Sequence, residues 1–307
     1  MRWIACAFGL SCVVFLAGGP VRAQLMLPGA LQAQPETPGK PGAPAAAGAP
    51  RPKPAPAKPP QPEAAIGKTF LHDGEKGTIS LGRGSGEGAL EISALSIEGE
   101  EIAAPGDACR IDVVASGAPI AATPVGRPNG ALRFSVALEA CPFEFDLLDG
   151  AILVSHAGGA CVFEAAGCKA DPSGLWGPAP SSFDDKQIKQ FESARGKAET
   201  AMRSDFRALV AAAGKDQAAV KGFAAEQAGF SSRRETTCRS YVGEETHGFC
   251  ALKLTQARSL ALRAAREAYE KEKGPAKAAR KGAHAQAARD AAAKTGPNAA
   301  PNPPSAN

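Results

Sequence analysis

Between residues 89 and 155 short apolar runs recur, Ala89–Ile92, Cys109–Val114, Leu132–Leu138, Phe143–Leu147 and Ala151–Val154, and in most of them apolar and polar side chains alternate. Period two of this kind puts one face of a strand on a core and the other in water. Asp149-Gly150 separates two of the runs and predicts a tight antiparallel hairpin, because glycine takes positive φ without steric cost. Asn129-Gly130 marks a second turn. The expectation for residues 64–178 is an all-β sandwich or barrel-like domain.

The period changes after Pro178. Ile188, Phe191, Ala198, Met202, Phe206 and Leu209 recur near helical spacing, with Ser181-Ser182 and Asp184-Asp185 at the start and Gly214 at the end. Val220, Phe223, Gln227, Phe230 and Arg234 form a second such series, and Cys250, Leu254, Ala257, Ala261, Ala264 and Ala268 a third. Residues 182–273 therefore predict a helical hairpin or three-helix domain whose seam is thin, since so many of its positions are alanine. The fold class expected is α+β and multi-domain, the β domain leading.

The flanks differ in composition. Arg2, the apolar run Ile4–Ala17 and Gly18-Gly19-Pro20 before Ala23 have the layout of a secretory signal peptide over residues 1–23. The apolar run is short for a bilayer span, so no transmembrane span is expected in the mature chain. Residues 24–63 are dominated by Pro, Ala and Gly and read as a disordered linker. Residues 274–307 lack large apolar residues and read as a disordered basic tail, although Ala276–Lys294 favours a transient helix.

Charge is distributed unevenly. Residues 64–178 carry seven Lys and Arg against fifteen Asp and Glu, a balance of −8, whereas 182–273 and 274–307 each carry +4. Such asymmetry bears on partners and not on fold.

With the signal removed, six cysteines remain: Cys109, Cys141, Cys161, Cys168, Cys238 and Cys250. In an exported chain an even count predicts disulfides. The expected pairs are Cys109–Cys141, Cys161–Cys168 and Cys238–Cys250. No Cys-x2-Cys pair is present and no histidine stands at ligand spacing, so neither metal nor cofactor is expected.

Enzymatic signatures are lacking too. Gly82-x-Gly84-x-Gly86-x-Gly88 has no Lys-Ser/Thr and reads as a loop; Ser155-His156 has no Gly-x-Ser-x-Gly setting and reads as a strand end. No nucleophile, base and orienting group converge, and the expectation is a protein that is not an enzyme. Trp176 reads as a plug at the end of the β domain.

One pattern is more specific. Gln227-x2-Phe230-x3-Arg234-x3-Cys238, then Cys250-x4-Thr255-x2-Arg258, resembles the helical core of LprI-like lysozyme inhibitors, small secreted bacterial domains. Phe230 stands where that family usually has Trp. The resemblance implies a disulfide between Cys238 and Cys250 and a stapled loop between two helices. Tyr241, Glu244, Glu245 and His247 in that loop are the expected partner-binding residues.

The function that follows is a secreted or periplasmic envelope binding protein that occludes lysozyme or a related peptidoglycan hydrolase. The alternative is a non-enzymatic scaffold whose basic helices and tail hold an anionic cell-wall polymer or membrane surface. The export signal argues against nucleic acid as a partner.

Overall fold

The structure, a computed structural model, describes residues 59–114 and 117–294. The expected signal peptide and most of the expected linker lie outside these residues. The described residues belong to one compact unit of the chain.

Among the described residues, eleven strands and four helices make up the fold. The strands are β1 (Thr69–His72), β2 (Lys76–Arg83), β3 (Leu90–Glu101), β4 (Ala108–Val114), β5 (Ile120–Gly126), β6 (Arg133–Val136), β7 (Phe143–Leu148), β8 (Ala151–Ser155), β9 (Cys161–Phe163), β10 (Cys168–Ala170) and β11 (Gly174–Gly177). All pair antiparallel. Eight of them, β1, β11, β8, β7, β6, β5, β3 and β2, follow one another round a closed barrel. The pairing that closes it is β2 with β3, from Thr78↔Ser96 to Arg83↔Leu90. Closure leaves those eight strands without a free edge, which a sandwich would have had to protect by other means. The other three strands, β4, β9 and β10, lie on the rim.

The alternation read from the sequence is what fills this barrel. Ile79, Leu81, Ile92, Ile97, Phe134, Phe145, Leu147 and Ile152 are almost fully buried in one cluster. Phe134 stacks on Phe145 with ring centroids 5.1 Å apart. The Asp149-Gly150 hairpin forms as expected, with Leu148 opposite Ala151 and Gly150 at φ 71°. Trp176 is buried as the plug, its indole N–H donating to the Pro172 carbonyl and its ring stacked on His72 at 4.8 Å.

The helices are α1 (Asp185–Ala213), α2 (Gln217–Arg239), the single-turn α3 (Glu244–His247) and α4 (Phe249–Lys294). Asp184 caps α1 in a capping box with Gln187, beyond Ser181-Ser182, which instead lie in a short 3-10 turn. Asp216 caps α2 by accepting the Ala219 N–H. α4 runs on as far as Lys294, through the Ala276–Lys294 stretch whose composition favours a helix.

The fold class expected from the sequence is therefore corrected. The main body is a closed barrel, and the helices do not build a separate bundle with a core of their own. Ala131, Leu148, Ala151 and Leu175 of the barrel share one apolar cluster with Met202, Leu209, Phe230, Tyr241, Phe249, Leu254 and Leu260 of the helical region. The alanine-rich seam explains why. It has too little apolar area to stabilise three helices alone, and the barrel's outer surface supplies the rest.

Two disulfides also differ from expectation. Cys109 is joined to Cys168 and Cys141 to Cys161, while Cys238–Cys250 forms as expected. The cause lies at Gly99 on β3, opposite Cys109. A Cβ there would run into the Lys169 carbonyl and sit 2.7 Å from Ala170 Cβ, so β10 crosses at a point only glycine allows. That crossing brings Cys168 over Cys109.

Candidate functional site

The loop expected to bind a partner is turned inward. Tyr241 is buried and donates its hydroxyl to the Pro178 carbonyl at 2.8 Å, tying the end of α2 to the barrel. Burial pushes its phenol well above the usual tyrosine range, with Glu244 and Asp73 adding to the effect. Glu244 accepts the Cys250 and Ala251 N–H groups, each at 2.8 Å, and so caps the first turn of α4. Its carboxyl is nonetheless raised above the ordinary value, because desolvation outweighs those two bonds. His247 is buried, donating from Nε2 to the Val242 carbonyl and accepting the Phe249 N–H at Nδ1. Of the four loop residues only Glu245 is exposed.

The family-motif residues do come together, as one internal network. Arg234 donates to the Thr255 hydroxyl at 2.9 Å, which donates to the Ala251 carbonyl. Arg258 donates to the Gln227 side chain at 3.1 Å. The Phe230 ring lies between the two guanidiniums, 5.6 Å from Arg234 and 5.8 Å from Arg258. These residues lock α2 to α4. Another tie, between α4 and the barrel, is Lys253, buried against Phe249 and 3.7 Å from Asp149. Burial depresses its ammonium below the ordinary lysine value.

An open feature lies on the rim instead. Strand β4, the turn before β7, strand β9 and the 3-10 turn Glu164–Ala166 enclose an apolar cleft of about 500 Å³. Ile111, Val113, Leu138, Val162 and Phe163 line it, and the exposed carboxylates of Glu139 and Glu164 stand among them. Val162 is 44% exposed, one of three large apolar side chains so placed among the described residues. Disulfides begin in both walls: Cys109 is on β4 with Ile111 and Val113, and Cys161 is on β9 with Val162 and Phe163. The cleft is thus built by the strands that the closed barrel leaves over.

Sequence reading missed this cleft because its two strand walls, β4 and β9, are far apart in the chain. The alternation in Cys109–Val114 and the apolar Val162-Phe163 pair were visible signals, yet nothing local joins them.

Ala140 lines that cleft, and Pro142, on the other side of Cys141, lines a second one of about 420 Å³ with Ser135, Phe143, Glu144, Ser155 and His156. His156 donates from Nδ1 to the Pro142 carbonyl. Its ring also lies close to the Cys141–Cys161 bond: one ligand atom from each of Cys141, His156 and Cys161 falls within 4.8 Å of the others. On the adjacent strands β6 and β7, Arg133 makes a two-pronged pair with the buried Asp146, at 2.7 and 2.8 Å, and a third bond to Glu144. The carboxylates hold its guanidinium above the ordinary value.

No family model, curated protein or solved structure matches this chain. Three disulfides point to an oxidising, extracellular or periplasmic environment. Among the described residues no helix is long and apolar enough to cross a membrane.

Proposed function

We propose that this chain is an exported cell-envelope binding protein whose acidic barrel captures a basic protein, and that lysozyme or a related peptidoglycan hydrolase is the partner it occludes. The observation that carries the reading is the rim cleft: an apolar floor held by disulfides, bordered by Glu139 and Glu164, on a segment with a balance of −8. A cationic partner is drawn to such a surface at long range, and an apolar anchor then gives the contact its residence time. The helical motif adds to it through its resemblance to LprI-like inhibitors. The occluding element is placed on the barrel and not on the Tyr241–Gly248 loop, because Tyr241, Glu244 and His247 are engaged inside the fold.

The test is a titration of hydrolase activity with the purified chain, beside the double variant Glu139→Lys/Glu164→Lys and the single variant Val162→Ser. Inhibition should be strongest at low salt and fall steeply in the double variant, while Glu245→Ala leaves it unchanged. If a stoichiometric excess of the chain leaves activity intact, the reading fails.

A second reading is a tether to anionic cell-wall polymer or membrane surface, favoured by the +4 balance of residues 182–273 and the reach of the 46-residue α4. Each basic side chain near an anionic surface contributes about 1 kcal/mol. Sedimentation with peptidoglycan that persists at high salt would exclude a purely electrostatic tether.

A further inference from the structure

We propose that Cys141, His156 and Cys161 form, once their disulfide is opened, a binding site for a thiophilic divalent cation of the Zn2+ class. Among the described residues this is the one group of three or more Cys, His, Asp or Glu side chains whose ligand atoms all approach one another closely, within 4.8 Å. Two thiolates and an imidazole are the donors that soft and borderline cations select over Mg2+ or Ca2+.

Three structural features suit the set to this use. The Pro142 carbonyl can only accept, so His156 Nδ1 carries the proton in their 2.6 Å bond and Nε2 keeps its lone pair. A backbone carbonyl holding the far nitrogen of a ligand histidine is a recurrent second partner in metal sites, where it fixes ring and tautomer. His156 also lines the open 420 Å³ cleft, from which water can complete a fourth position. Finally, Cys141 lies in a bend and Cys161 opens the three-residue β9 after the bends at 157–160. Their sulfurs can therefore separate to take up positions about 2.3 Å from an ion without disturbing the closed barrel.

The chemistry balances with a dithiol as reductant. The dithiol gives up two electrons and two protons, becomes a disulfide, and leaves Cys141 and Cys161 as thiols. Binding M2+ then displaces the two thiol protons, so affinity rises with pH. The oxidised protein has no thiolate to offer, and the site exists only in the reduced state.

The experiment reduces the full chain anaerobically with a dithiol, removes the reductant and titrates Co2+, whose thiolate charge-transfer and d–d bands count the sulfur ligands. One Co2+ per chain with two thiolates is expected, displaced by Zn2+, and absent from the oxidised chain. His156→Ala should weaken binding by roughly tenfold or more. Zn2+ should shield Cys141 and Cys161 from alkylation and leave the other cysteines reactive. Should reduction unfold the chain, Zn2+ must restore a cooperative unfolding transition. Equal protection of every cysteine, unchanged affinity in His156→Ala, or no recovery of fold after unfolding would each overturn the proposal.

Discussion

Glu244 distinguishes an outward-reaching loop from a load borne inside the fold. In Glu244→Ala the Cys250 and Ala251 N–H groups lose acceptors held at 2.8 Å each, at the start of the longest helix. Loss of a cap costs about 0.5–2 kcal/mol, and bonds to a charged acceptor about 1.5–3. The carboxylate's own desolvation, which raises its pKa, is relieved at the same time and offsets part of that. The net expectation is a loss of about 2 kcal/mol, or about 4–8 °C in Tm for a body of this size. Glu244→Gln keeps one acceptor and should lose about half as much, and the exposed Glu245→Ala should stay within about 0.5 kcal/mol. Urea denaturation with an unchanged slope measures all three. If Glu244→Ala and Glu245→Ala prove equally stable, and only partner binding suffers, the carboxylate points outward and the inward reading is wrong.

Serine at both Cys238 and Cys250 opens a loop of 12 residues and should cost about 3 kcal/mol in the same assay. Gly177→Ala would place a Cβ 2.6 Å from the Tyr241 hydroxyl and 2.8 Å from Phe249; forcing the helices off the barrel should cost about 1–3 kcal/mol and expose the 178–184 connection to protease. Asp73 is buried, with φ 52°, and burial raises its carboxyl above the ordinary 3.8. A raised folded value means the proton is bound more tightly in the fold, so this contribution is complete below 3.8 and is lost as pH climbs through the folded value. Asp73→Asn should flatten the stability–pH curve over that interval; an identical curve for both chains would show that Asp73 titrates as in the unfolded chain.

The elements legible in the sequence are those whose signals are local. Asp184-Asp185 and Gly214 announce the ends of α1 within a few residues of where they stand. Asp149-Gly150 announces its hairpin for the same reason. The pairing of the first strand with the last has no such signature: β1 meets β11 across a hundred residues, at Leu71↔Gly177 and His72↔Trp176. β5 carries Pro124 and reads as a broken run, yet it pairs with both β3 and β6, with a register shift between Pro124 and Gly126. Pairing cysteines with near neighbours in the chain failed at Gly99, where the crossing of β10 decides the partner. The same long-range geometry put His156, fifteen positions beyond Cys141, beside its sulfur, where spacing alone gave no metal-ligand pattern.

Charge read along the chain separates an acidic from a basic segment, and the fold joins them in one body. Lys253 of α4 is paired with Asp149 of the barrel, whereas the exposed Glu139 and Glu164 stand at a rim cleft lined wholly by β4, the turn before β7, β9 and the 3-10 turn after it. A basic protein approaching this chain therefore meets its most favourable field on the barrel, and the helices' cost to that approach is a long-range one that salt removes. Raising ionic strength should slow association at the cleft while leaving the apolar anchor intact, so that the dissociation rate of Val162→Ser, and not its association rate, departs from that of the parent chain. A Val162→Ser variant altered only in association would mean that the apolar floor makes no contact in the complex.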